Sequence, residues 1–144
     1  MPKEKFVYLE EHTADVAFIA YGKDLNEAFE NAAKAMFNVM TDISKVDKKE
    51  GREITVEDTD LKGLLMKWLG ELIYIFDAEG LVFSEFEVKI EKQGEKYILR
   101  ARAFGEPFNP EKHPSGLEVK AISYHWMEIG EENGEKFVRV ILDI

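Results

Sequence analysis

The chain has 144 residues, enough for one domain over 1–144, and 45% of them are hydrophobic, so a core can form without staples. It contains no cysteine, which excludes a disulfide scaffold, a thiolate nucleophile, a zinc finger and an iron–sulfur cluster together. Asp and Glu number 29 against 19 Lys and Arg, and a formal charge of -10 repels the phosphate backbone, so direct, high-affinity nucleic-acid binding is not expected.

Met1-Pro-Lys-Glu-Lys-Phe-Val-Tyr has no apolar run of the kind a secretory leader needs. The most apolar stretch, Leu64 to Phe76, is broken by Lys67, Gly70 and Glu71 and is too short for a bilayer. A cytoplasmic location with no membrane contact is therefore expected. The 21 Glu, 15 Lys and single Gln match the ion-pair-rich composition of proteins from hot habitats.

In chain order, Phe6-Val-Tyr-Leu and Val16-Ala-Phe-Ile-Ala-Tyr read as short strands separated by Glu10 to Asp15. Asp24 with Glu27 forms a capping box, and Leu25, Phe29, Ala32, Ala33, Met36, Phe37 and Met40 follow at helical spacing. A charged turn, Ser44 to Gly51, leads into a strand at Arg52 to Val56. A second helix is predicted from Asp58 or Thr59, with a wide stripe from Leu61 through Trp68 to Phe76. The period then changes to 2: Phe86, Val88 and Ile90 alternate with charged neighbours, and Gln93-Gly94-Glu95 turns the chain into a partner strand, Tyr97 to Phe104. A loop from Gly105 to Gly116 holds three prolines, and strands at Leu117–Ile129 and Lys136–Asp143 follow. This order predicts an α+β fold of two amphipathic helices on mostly antiparallel sheet, about seven strands in all.

No Gly-rich phosphate loop, GxSxG elbow or HExxH motif is present, and the histidines are His12, His113 and His125. His125, mid-strand, reads as a packed or rim histidine satisfied by a backbone carbonyl. His113 lies in the proline-rich loop, where function often resides. His12-Thr-Ala-Asp15 reads either as a strand connection or as part of a site. If Asp15 sits on a strand end beside Asp143, the two side chains and the α-carboxylate of Ile144 converge. Unit charges 4 Å apart repel by about 4 kcal/mol at an effective dielectric near 20, so such a group needs a cation or protons. Oxygen ligands of that kind suit a hard divalent ion, Ca2+ before Mg2+.

Six separated segments extend this reading: His12-Thr-Ala-Asp15; Ala35-Met-Phe37; Trp68-Leu-Gly-Glu-Leu-Ile-Tyr74 with Phe76-Asp77; Gly105-Glu-Pro with His113; Val119-Lys-Ala-Ile-Ser-Tyr-His125; and Ile141-Leu-Asp-Ile144. In this order they resemble the archease family, nearly end to end. The resemblance implies a non-enzymatic protein cofactor of the RtcB-type RNA ligase of tRNA splicing. It implies a factor that speeds ligase guanylylation, supports multiple turnover and broadens nucleotide use. It also implies a divalent-metal site of Asp15, Asp143 and the carboxylate of Ile144. His12 and His113 are expected to face the partner. The alternative is a metal-dependent hydrolase or isomerase using Asp15 with His12 or His113.

Overall fold

The structure, a computed structural model, describes residues 5–9 and 15–144. Among these the elements are β1 (Phe6–Leu9), β2 (Asp15–Gly22), α1 (Leu25–Met40), a 3-10 turn (Ile43–Lys45), β3 (Glu50–Asp58), α2 (Leu61–Glu79), β4 (Leu81–Gln93), β5 (Lys96–Pro107), β6 (Ala121–Glu132) and β7 (Glu135–Asp143). All strand pairs are antiparallel, in one sheet ordered β1-β2-β7-β6 and a second ordered β3-β5-β4. Each helix packs on strands of both sheets, and the expected α+β architecture of two helices and seven strands is found.

Local chemistry sets the helix ends. Asp24 accepts a hydrogen bond from the Glu27 N–H at 2.9 Å, and the Glu27 carboxylate accepts one from Lys23 N–H at 2.9 Å, one residue ahead of the cap. The second helix is capped by Asp60 rather than Asp58 or Thr59, because β3 runs on through Asp58. It ends at Gly80, whose φ of 70° is the left-handed turn that glycine adopts at low cost.

Because α1 lies between the sheets, Phe29, Ala32, Ala33, Ala35, Met36 and Phe37 are all 0% exposed, a wider buried surface than one stripe. Trp68 of α2 is also 0% exposed, and its indole N–H donates to the Phe29 carbonyl at 3.0 Å, tying the helices together. The polar side of α1 is occupied as well. Asn26 Oδ1 and Glu30 Oε2 accept from the N–H groups of Ile90 and Val88, each at 2.9 Å, and Lys34 pairs with Glu85 at 3.0 Å. Three residues at i, i+4 and i+8 thereby cover the free edge of β4, which would otherwise present unpaired N–H groups.

Two boundaries differ most from the sequence reading. The strand after the proline-rich loop starts at Ala121, not Leu117, because Gly116 N–H and Leu117 N–H donate to the Met40 and Val39 carbonyls at the end of α1. β4 starts at Leu81, where Leu81, Val82 and Phe83 are all buried and show no alternation to read. Among the described residues no helix is long and apolar enough to cross a membrane.

Candidate functional site

Asp15 opens β2 and Asp143 closes β7, and the register places them directly opposite each other. Directly paired antiparallel residues have Cα atoms about 5 Å apart and side chains on the same face. Ala121, the first residue of β6, completes the row on the other side of Asp143, and Lys120 N–H donates to the Asp143 carbonyl at 2.8 Å. The face follows from burial: Phe18, Ala20, Val138, Val140 and Leu142 are 0% exposed and point inward, so Asp15, Asp143, Ile141 and Arg139 belong to the outer face. The register of β2 and β7 thus sets the two aspartates side by side, which their spacing in the sequence left open. Among the described residues no group of three His, Cys, Asp or Glu side chains gathers around a point that could hold a metal. His12 lies outside the described residues.

His113 does not face outward. Its ring is 0% exposed, stacked on Phe108 with centroids 5.7 Å apart. Nδ1 accepts from Asn109 N–H at 2.9 Å, so the ring proton sits on Nε2, which donates to Glu106 Oε2 at 3.0 Å. With both nitrogens engaged and no path to solvent, the ring cannot serve as the acid or base of a hydrolase. Its place beneath the surface follows from the loop: the 109–113 turn folds the imidazole back over Phe108 and onto Glu106.

Glu106 is the anchor of that arrangement. Its side chain is only 6% exposed, and Oε2 also accepts from Asp47 N–H at 2.8 Å and Lys112 Nζ at 2.7 Å. Lys112 further bonds Asp47 at 2.6 Å, and Lys49 stands 3.6 Å from Oε1. Burial pushes the Glu106 carboxyl up, but the bonds from Asp47 N–H, Lys112 and His113 outweigh it and hold its pKa at about 2. Gly105 is required beside it, since a Cβ there would collide with the Val82 carbonyl. The segment fixed in this way runs on past Pro114, whose carbonyl accepts from Thr41 Oγ1 at 2.7 Å, to the Asp143 end of β7.

His125 is exposed rather than packed in the core, its ring 5.4 Å from that of Trp126. Between Ser123 (opposite Ile141) and Glu128 (opposite Arg139), four residues of β6 face one residue of β7, and Tyr124, His125 and Trp126 swing out. Tyr124 is 54% and Trp126 56% exposed, and Trp126 adopts φ 63°, which bulky residues rarely do. Arg139 Nε donates to the Trp126 carbonyl at 3.0 Å, its guanidinium lies 6.0 Å from the indole ring, and Nη2 pairs with Glu128 at 3.1 Å. Tyr124 OH donates to Asp60 Oδ2 at 3.2 Å, and this contact pushes its pKa up. The sequence held a signal: three consecutive ring-bearing residues in Tyr124-His125-Trp126 cannot all satisfy a two-residue period.

A family model described as the Archease protein family matches residues 6–144. The archease of Pyrococcus abyssi is 50% identical over 135 residues, covering 93% of this chain and 95% of that protein. The archease of Methanosarcina mazei is 43% identical over 147 residues, covering both chains fully. The solution structure of Methanobacterium thermoautotrophicum protein 1598 superimposes with a TM-score of 0.86 at 46% identity, over 97% of this chain and 99% of that one. The crystal structure of a Thermotoga maritima archease, described as a possible chaperone, shares the fold with a TM-score of 0.59 at 19% identity, covering 100% of this chain and 98% of that one. With a family match from the first strand to the last residue and relatives aligned over nearly their whole lengths, this chain belongs to the archease family.

Proposed function

We propose that this protein is a non-enzymatic activator of an RtcB-type RNA ligase, promoting guanylylation and repeated turnover and broadening the nucleotides the ligase uses. Within this reading a divalent cation, Ca2+ or Mg2+, is held by Asp15, Asp143 and the α-carboxylate of Ile144. The single observation that carries it is the pairing of Asp15 with Asp143 at the end of neighbouring strands, on the outer face. Two carboxylates set side by side carry a repulsion that a hard cation relieves, and their oxygens are the donors such an ion prefers. The description of the Thermotoga protein as a possible chaperone supports the coarser form of the reading, action on another protein.

The chain's own contribution is positional. β2 and β7 fix the two aspartates, and the segment locked by Glu106 and His113 ends on Lys120 N–H at the Asp143 carbonyl. A charge of -10 steers the protein toward the basic surface that an RNA ligase offers its substrate, and salt weakens that steering. Activation then works by population shift, which requires tighter binding to the ligase state competent for guanylylation.

The test combines calcium titration by calorimetry with ligase turnover. Appending a short Gly-Ser tail after Ile144 displaces the terminal charge and leaves both aspartates in place; Asp15→Ala removes one of them. Both variants are expected to fold, to lose cation affinity and to lose stimulation. Unchanged cation affinity in both removes the site, and absence of stimulation by the wild-type protein removes the activator reading.

A further inference from the structure

The four-residue excursion of β6 disrupts pairing on an outer strand and places a large aromatic ring in the left-handed region, where a side chain strains the backbone. Met127 alone of its four residues enters the core, while Tyr124, His125 and Trp126 are all exposed. The excursion is nevertheless held from several sides. Arg139 grips the Trp126 carbonyl at 3.0 Å and pairs with Glu128 at 3.1 Å, and Tyr124 is tied to Asp60 at 3.2 Å. A strained, braced and solvent-facing group of Trp, Tyr and Arg has the composition of an energetic anchor for a protein partner.

Its position selects that partner. Arg139 lies on the outer face with Asp143, four residues along the same strand, a separation of about 13 Å at a strand's rise. A partner that receives the Asp15–Asp143 end therefore meets the aromatic excursion on the same face. The neighbouring carboxylates, Asp60 and Glu128, are acidic within a chain of charge -10, so the complementary surface carries Lys and Arg side chains. The His125 and Trp126 rings lie 5.4 Å apart with Arg139 6.0 Å from the indole, so those cations meet the outward side of this ring pair.

We propose that the Tyr124-His125-Trp126 excursion of β6 is the anchor through which this face docks on a basic protein surface, that of the ligase, about 13 Å from the paired aspartates. This inference rests on the activator reading given above, and it assigns affinity to the aromatics where that reading assigns activation to the aspartates.

The position offers a discriminating variant. Glycine adopts a φ of 63° freely, so Trp126→Gly removes the ring, keeps the carbonyl that Arg139 holds and relieves strain. Trp126→Asn, also tolerant of this conformation, serves as the second variant. Each is titrated into the matched ligase, reading turnover and binding anisotropy, beside wild type and Asp15→Ala. We expect both Trp126 variants to keep or raise the thermal midpoint. Their half-saturating concentration should rise at least tenfold while the plateau stays at the wild-type level; Asp15→Ala should lose the plateau. Wild-type half-saturation in both Trp126 variants overturns the anchor and leaves the activator reading standing. Failure of the wild-type protein to bind or stimulate the ligase overturns both. A wild-type dimer that Trp126→Gly dissociates in sedimentation, or RNA binding that it abolishes, overturns the anchor in favour of a second copy or a nucleic acid.

Discussion

Replacing Glu106 by Gln isolates the charge beneath the proline-rich loop. In the native protein Oε2 accepts from Asp47 N–H at 2.8 Å, Lys112 at 2.7 Å and His113 at 3.0 Å. A glutamine oxygen in that position keeps all three bonds as a neutral acceptor, and its amide turns toward Lys49, which is 65% exposed and free to move away. What is lost is charge assistance, roughly 1 kcal/mol for each bond at most and about 2 kcal/mol in all. The depressed pKa leads to the same size: a change from 4.5 to about 2 corresponds to about 3 kcal/mol, reduced by screening at the partly exposed lysines to about 2 kcal/mol. Because the native pKa lies below the unfolded one, this stability is complete above about pH 4.5 and is lost as the pH falls toward about 2. Urea melts of wild type and Glu106→Gln should therefore differ by about 2 kcal/mol at pH 7, with equal slopes, and by less than half of that at pH 2.5. A gap below about 0.5 kcal/mol at pH 7, or one that does not change with pH, refutes the assignment of the charge as the stabilising element.

Trp68→Ala should cost roughly 3–5 kcal/mol, because it opens a cavity between the helices and deletes the bond to the Phe29 carbonyl, whereas Trp68→Phe should cost about 1–2 kcal/mol; equal denaturation midpoints for the two would contradict the packing. In chelator, Asp15→Asn should raise the thermal midpoint by relieving the repulsion with Asp143, and added calcium should stabilise wild type but not the variant. The protein alone should show no micromolar affinity for tRNA at physiological salt in a mobility-shift assay, and such affinity would overturn the electrostatic argument. Ligase stimulation at a fixed subsaturating dose should fall as salt rises from 50 to roughly 300 mM; a flat response would remove electrostatic steering.

The helices were legible because their information is local. The Asp24–Glu27 cap, the stripe around Trp68 and the period change at Phe86 each depend on residues within a few positions of one another. Elements whose meaning depends on another part of the chain were less so. Asn26, Glu30 and Lys34 lie outside the apolar stripe of α1, and only the approach of β4 shows that they cover a sheet edge. Leu81-Val82-Phe83 carries no period because both faces are buried. The site divides along the same line. Asp15 and Asp143 could be nominated from their positions, but their meeting depends on a register between strands more than a hundred residues apart. His113 is expected to face the partner because it lies in a long loop, where function often resides. The carboxylate that draws it inward, Glu106, lies seven residues earlier across an irregular segment, where no regular period relates the two.

The buried network and the exposed site meet in one segment. From Glu106 the chain passes beneath Phe108, turns at Asn109 to set the His113 imidazole, and is held by Thr41 and the last carbonyls of α1 before Lys120 reaches Asp143. That segment sets where β6 begins, and the start of β6 sets the register in which Ala121 stands opposite Asp143. A one-residue slip there would turn Ser123 and Ile122 to opposite faces and move the aromatic excursion off Arg139. A charged carboxylate buried out of sight of any partner thus has a positional consequence at the outer face: it anchors the stretch that precedes the strand bearing Trp126. This explains why a polar network of this kind occupies a place where apolar packing could also have stabilised the loop, since hydrogen bonds fix direction and register where hydrophobic contact fixes only proximity.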